Sequence, residues 1–93
     1  MFVPGDSATA MVCRALAERG LRVGRDLSLV SCNNELPLLS GLYPTPTTID
    51  IHAELIGRRA ADQLAWRLTN DSPVGLDVGV EPALVEGASV ARL

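Results

Sequence analysis

Aromatic side chains are scarce in this sequence: Phe2, Tyr43 and Trp66 are the only three, 3% of 93 residues. Any core must therefore be aliphatic, made of Leu, Val, Ile and Ala. Positive charge is also short. The net charge is −3 and the pI about 4.9, which argues against a nucleic-acid surface, because such surfaces are basic. No run of about 18 apolar residues exists, so no membrane span is expected. The start, MFVPGDSATA, lacks a basic segment followed by an apolar one, so no signal peptide is expected and the chain reads as cytoplasmic. Cys13 and Cys32 are the only cysteines. Their spacing fits no metal pattern, and two buried, reduced thiols are expected. The one histidine, His52, opens a helix after a strand and reads as a cap or surface residue. There is no Ser/His/Asp set, no usefully spaced acid pair, no phosphate loop and no metal cluster. The reading is therefore non-enzymatic, with no catalytic residue, no metal and no cofactor.

What is present is apolar and regularly punctuated. With 47% hydrophobic residues the chain is too apolar to be disordered, and its length allows at most one small domain. The organising stretch is residues 21–35, LRVGRDLSLVSCNNE. Residues 27–32 are short, apolar and flanked by turn-formers, which predicts a central parallel strand. Ligands of open α/β sheets sit outside the carboxyl ends of the strands. Asn33 and Asn34 occupy such an end.

Residues 1–3 read as the end of a strand. A helix from Ser7 to about Arg19 follows, capped by Asp6 or Ser7, with Met11, Val12, Ala15 and Leu16 as its apolar face. Gly20 fits the left-handed position that closes a helix. This strand–helix–strand unit predicts a right-handed crossover. It brings the Pro4-Gly5-Asp6 and Asn33-Asn34 turns to one sheet edge, where Asp6 and Asn33 can converge on one ligand. Residues 35–43 hold Pro37 at the start of a short helix. Leu36, Leu38, Leu39 and Leu42 either plug into the domain or face a partner chain. Residues 47–51, TTIDI, are β-branched and read as a strand. The longest element is a helix over about residues 53–69. Ile56, Ala60, Leu64 and Leu68 form its stripe, beside small residues that suit close packing on a sheet, and Trp66 is expected to be partly buried. Leu76, Val78 and Val80 alternate as in a half-exposed strand, residues 83–85 form a last short strand, and the rest reads as a tail. The layout is α/β and looks incomplete, because two real helices cannot cover both faces of a parallel sheet. Either upstream sequence or a second copy is needed.

Taken in order, PGDSATAMVCRALAERGLRVGRDLSLVSCNNE and PTPTTIDIHAELIGRRAADQL strongly resemble the C-terminal part of lactose-repressor (LacI-type) transcription regulators. The match extends through Pro82 and Leu84-Val85 and covers residues 2–89. The resemblance implies a parallel-sheet sandwich lobe like that of type I periplasmic binding proteins, here as an incomplete C-terminal portion. Residues 1–44 and 74–93 would lie mainly in the C-terminal lobe. Residues 47–70 would supply the crossing strand and helix of the N-terminal lobe, and the helix-turn-helix DNA-binding domain is absent.

The family's function implies effector sensing and dimerisation, with a small sugar-like effector allosterically controlling operator binding through that absent domain. Effector contacts would come from Gly5, Asp6, Asn33 and Asn34. Relatives usually have an acidic residue where Asn33 stands. An ionised carboxylate only accepts hydrogen bonds, whereas an amide donates and accepts, so Asn33 suits a polyol, a nucleobase or an amide. A homodimer would pair through Met11, Ala15, Leu36, Leu39 and Leu42. Residues 1–93 alone are expected to bind effector weakly or not at all. Two other readings are a piece of a periplasmic sugar-binding transport receptor, and a stand-alone short protein whose chains exchange elements.

Overall fold

The computed structural model describes residues 1–92. Six elements follow in order: α1 (Asp6–Glu18), β1 (Val30–Cys32), α2 (Leu36–Leu39), β2 (Thr47–Asp50), α3 (Ala53–Thr69) and β3 (Ala83–Val85). β1 pairs parallel with β2, Val30 opposite Thr47 and Cys32 opposite Ile49. β3 adds antiparallel to the other edge of β2, with Asp50 opposite Ala83. On the far side of β1, Phe2 makes a parallel bridge to Val30, held by Val3 N–H to Val30 O and Val30 N–H to Met1 O at 2.9 and 3.0 Å. The expected strand–helix–parallel strand unit is therefore present, with β1 between the Phe2 bridge and β2, and β2 as the middle strand of the three-stranded sheet.

α1 ends as its sequence predicts. Gly20 has φ +75°, Gly20 N–H donates to Ala17 O, and Leu21 N–H donates to Leu16 O, both at 3.0 Å. This paired closure needs the left-handed residue that glycine supplies without strain. The start of α1 differs from expectation. Gly5 is the N-cap and no side chain caps the helix, because the Asp6 carboxylate is engaged elsewhere. The inward face differs as well. Asp6 and Thr9 are fully buried, Cys13 and Leu16 half-buried, and Met11 is 75% exposed. The helix turns a polar edge inward because a hydrogen-bonding partner, Ser31 of β1, waits there.

The interior is correspondingly mixed. Val3, Leu29, Leu39 and Pro46 are buried apolar residues, alongside Asp6, Thr9, Ser31, Thr47, Thr48 and Ser89. Burying hydroxyls is tolerable only when they are hydrogen-bonded, and no buried side-chain polar atom lacks a partner among the described residues. The question posed by the leucines around α2 resolves by residue. Leu39 plugs into the core at 2% exposure, Leu42 is half-buried, and Leu36 and Leu38 are exposed.

The stretch after β3 is no tail. Ser89 Oγ accepts from Thr47 N–H at 2.7 Å and donates to Leu29 O at 2.5 Å, while Leu29 N–H donates to Ser89 O at 2.9 Å. Ala88 N–H reaches Thr45 O at 2.7 Å. Residues 87–91 thus stitch the entrances of β1 and β2 together. Gly87 has to be small, since a Cβ there would lie 2.7 Å from the Pro46 carbonyl carbon and oxygen and closer still to Thr45 O.

α3 departs most from expectation. None of its 17 residues is buried, and its stripe does not pack on the sheet: Ile56, Leu64 and Leu68 are 43%, 63% and 79% exposed. Trp66, at 38% exposure, is partly buried as expected. Residues 76–80 form no strand. They run beside α3, where Leu76, Val78 and Val80 line a shallow groove with Ile56, Arg59, Ala60 and Gln63. The radius of gyration is 17.7 Å and the long axis 58 Å, whereas a compact domain of this length has a radius of about 12 Å. The helix and its return segment form an arm that leaves the sheet after β2 and rejoins it at β3. No helix among the described residues is long and apolar enough to cross a membrane.

Candidate functional site

The parallel pairing of β1 and β2 places the residues that follow both strands side by side. After β1 come Asn33, with φ +107°, and Asn34, with φ +59°. Asparagine tolerates this left-handed region better than other side-chain-bearing residues, so the consecutive asparagines have a backbone reason as well as a chemical one. Asn33 N–H continues the ladder to Ile49 O at 2.8 Å. After β2 come Asp50 and His52, and the first turn of α3 follows.

A cleft of about 520 Å³ opens here, lined by Asn33, Asn34, Glu35, Asp50, His52, Ala53, Glu54, Leu55 and Arg58. Its volume lies within the range of small-molecule sites. Asn34 Nδ2 donates to Asp50 Oδ2 at 3.2 Å, and His52 N–H donates to Asp50 Oδ1 at 2.8 Å. The His52 backbone bond, then the Asn34 amide, with the His52 ring adding attraction, hold the Asp50 carboxyl below the usual range against a small opposing effect of burial. His52 Nδ1 lies 2.9 Å from Glu81 O. A carbonyl only accepts, so Nδ1 carries a proton. Arg58 donates to Glu54 at 2.7 Å across one helical turn.

Asp6 occupies the other side of the Asn33-Asn34 turn, inside the protein. Its Oδ2 accepts from Glu35 N–H at 2.6 Å. Its Oδ1 accepts from the Ser31 hydroxyl and, at 3.4 Å, from Thr48 Oγ1. Thr9 Oγ1 lies 2.6 Å from Ser31 Oγ and 3.0 Å from Gly5 O. One carboxylate therefore links the first turn, the turn after β1 and the end of β2. The two turns that carry Gly5, Asp6, Asn33 and Asn34 do meet at one sheet edge. Asp6 is 0% exposed within this chain, while Asn33 and Asn34 line the cleft.

Reading the sequence missed Asp50, His52 and Arg58 as cleft residues, treating Asp50 and His52 only as the entry to a helix. Parallel strands share a carboxyl edge, so the residues after TTI were due to adjoin Asn33-Asn34, and that topological signal was available. The cysteines are unpaired and half-buried instead of fully buried, and burial raises the Cys13 thiol above its ordinary range. No cluster of metal-ligating side chains occurs among the described residues.

Comparison with known proteins follows the same lines. The model of the periplasmic binding protein-like domain matches residues 1–90. The HTH-type transcriptional repressor PurR of Edwardsiella ictaluri is 37% identical over 94 residues, covering 98% of this chain and 26% of the repressor. PurR of Proteus mirabilis is 35% identical with the same coverage. Among solved structures, the transcriptional regulator CelR in complex with cellobiose superposes with a TM-score of 0.86 at 25% identity, over 95% of this chain and 27% of that one. A LacI-type transcription regulator from Bifidobacterium animalis subsp. lactis superposes with a TM-score of 0.74 at 28% identity, over 99% of this chain and 33% of that one. The chain spans about a quarter of the length of the curated relatives it matches. It belongs to the periplasmic-binding-protein-like domain family, as part of the effector-binding domain of a LacI-type transcriptional regulator.

Proposed function

We propose that these residues sense a small polar effector and carry dimer contacts, and that effector binding changes operator affinity through DNA-binding heads encoded outside them. The observation that carries the reading is the 520 Å³ cleft at the shared carboxyl edge of β1 and β2, where Asn33, Asn34, Asp50, His52 and Arg58 meet. Seven of its nine lining residues carry hydrogen-bonding side chains, set beside the apolar Ala53 and Leu55, which suits a sugar or related metabolite. The likeness to a regulator solved with cellobiose supports that class. In this proposal Asn33 and Asn34 touch the effector, and Gly5 and Asp6 form the adjoining turn. Asp6, buried and fully engaged, contributes by fixing where the asparagines stand.

Residues 1–44 and 74–93 would lie mainly in one lobe and residues 47–70 would cross to a second that closes over the cleft, although the pairing of β2 with β1 and β3 keeps residues 47–50 with the first. Effector binding favours the closed arrangement and so shifts a pre-existing equilibrium. Dimer contacts run through Met11, Ala15, Leu36 and Leu42. Met11 and Leu36 are 75% and 65% exposed, whereas Leu39, grouped with them on sequence grounds, lies in the core. A regulator that acts on DNA works in the cytoplasm.

The test is operator binding by a chain that includes the coding sequence in frame ahead of Met1, by gel shift, with and without a panel of sugars and other polar metabolites. One ligand should change operator affinity, and Asn33→Ala should weaken that response at least about tenfold, the effect of losing one good polar contact. Specific operator binding that no ligand alters would overturn the allosteric reading. Failure to bind any specific DNA would overturn the regulator reading.

A further inference from the structure

The cleft carries one carboxylate whose capacity is only partly used. An ionised carboxylate offers about four acceptor positions. Asp50 fills two of them, with Asn34 Nδ2 and His52 N–H. The buried carboxylate of Asp6 is otherwise placed, with three donors on it and no exposure. Around Asp50 the cleft supplies further acceptors in the Asn33 and Asn34 side-chain carbonyls. Its donors are the Asn33 amide, the second N–H of the Asn34 amide and Arg58, and Arg58 is already paired with Glu54. Glu35 and Glu54 add two more negative charges to the wall, against the one positive charge of Arg58.

We propose that Asp50 sets the effector class: the cleft takes neutral, hydroxyl-bearing ligands and rejects their phosphorylated or carboxylated counterparts. The proposal rests on the effector reading given above. Hydroxyls donate into the two open positions on Asp50, while ring or carbonyl oxygens of the ligand accept from the Asn33 amide. An anionic group brings acceptors alone to a wall already rich in them. It also sets a second negative charge near a carboxylate that its hydrogen bonds keep ionised. In a partly open cleft this repulsion corresponds to discrimination on the order of tenfold or more, and it weakens as salt screens it. Asn33 on its own makes no such choice, since an amide serves donors and acceptors alike.

The test is a titration of the 93-residue chain followed by backbone amide NMR shifts. The probes are glucose, ribose and cellobiose, each paired with glucose 6-phosphate, ribose 5-phosphate or cellobionate. For at least one pair, the neutral member should shift the amides of Asn33, Asn34, Asp50 and His52 at millimolar concentration. Its anionic counterpart should bind at least about tenfold more weakly. Asp50→Asn should bring the two members within about twofold of each other, and Asp50→Glu should restore the preference. Circular dichroism of both variants checks that they fold. If neither does, the same preference in the natural chain must shrink as salt is raised, and a salt-independent preference overturns the role of Asp50. Equal binding of both members at the cleft overturns this proposal and leaves the effector reading standing. Shifts confined to other surfaces, or none with any of the six, overturn this proposal; the effector reading falls only if no ligand alters operator binding.

Discussion

Substituting Asp6 should separate two roles that a buried carboxylate can play, filling space and directing hydrogen bonds. In Asp6→Ala, three donors lose their acceptor at a site with no solvent exposure: the Ser31 hydroxyl, the Thr48 hydroxyl and Glu35 N–H. Leaving a buried donor unmade costs about 1–3 kcal/mol, at the upper end when the lost acceptor is charged. The Thr48 contact, at 3.4 Å, is long and worth little. Two substantial losses give about 3–5 kcal/mol. Asp6→Asn should cost much less, because the network can reverse. With the amide oxygen turned to Glu35 N–H, the amide nitrogen donates to Ser31 Oγ. Ser31 then donates to Thr9 Oγ1, and Thr9 keeps its bond to Gly5 O at 3.0 Å. What remains lost is the charge on one strong bond and the Thr48 contact, about 1–2 kcal/mol. In a domain of this size that is about 5–10 °C in melting temperature. The assay is urea and thermal unfolding by circular dichroism, with hydrogen exchange at the Glu35 amide as a local readout. Equal losses in Asp6→Asn and Asp6→Ala, or a loss below about 1 kcal/mol in the alanine variant, would refute the account of Asp6 as the director of this network.

Four other outcomes follow from the same structure. Ser89→Ala strips Thr47 N–H of its acceptor and Leu29 O of its donor in a fully buried position, so urea unfolding should show a loss of about 2–4 kcal/mol. Gly87→Ala forces a methyl group against Thr45 O and the Pro46 carbonyl and should cost about 1–3 kcal/mol through backbone displacement; a neutral effect would mean the 87–91 stitch is looser than drawn. Leu68→Ala, 79% exposed on α3, should change the stability of the 93-residue chain by less than about 0.5 kcal/mol, and a large loss would show that the arm packs. Asp50 has a folded-state pKa below its unfolded value. Its contribution is present above the unfolded pKa, near about 3.9, and is lost as pH falls through the lower folded value. An NMR titration of its carboxyl carbon should find the midpoint below that of an unstructured aspartate.

Elements governed by the local chain were legible before the structure. The Gly20 closure, the proline at the start of α2, the β-branched β2 and the punctuation around β1 all depend on neighbours in sequence, and each lies within a residue or two of its expected bounds except β1, whose ladder begins at Val30. What escaped depends on partners far along the chain. Periodicity placed the apolar face of α1 at Met11, because periodicity counts apolar side chains and cannot see that Ser31 makes a polar inward edge stable. Residues 86–91 have the composition of a tail, yet Ser89 is bonded to residues 42 and 60 positions away. Alternation at Leu76, Val78 and Val80 fits a strand in any sheet that offers an edge, whereas here these residues lie beside α3. The site was half legible in the same way: Asn33 and Asn34 end the strand that the hydrophobic run announces, whereas Asp50 and His52 enter only through the parallel register.

The exposed arm and the polar interior bear on one another. A core of so few apolar side chains packs without much preference for direction, and apolar packing alone would leave the Asn33-Asn34 turn loosely fixed. Hydrogen bonds are directional, and a network with every buried donor and acceptor filled admits few arrangements. The linked hydroxyls around Asp6 therefore set the backbone of the turn that faces the cleft. The arm, with no buried residue in α3, joins this rigid edge only through the segments entering and leaving it, and His52 Nδ1 to Glu81 O ties those two segments together just beyond the β2–β3 ladder. A hydrogen-bonded edge beside the cleft, joined to the arm through two short connections, is the arrangement that the proposed two-lobed closure would use. The two carboxylates divide the work by environment: Asp6, dry and saturated, holds the geometry, and Asp50, open to the cleft, is the one that the proposal gives the choice of ligand.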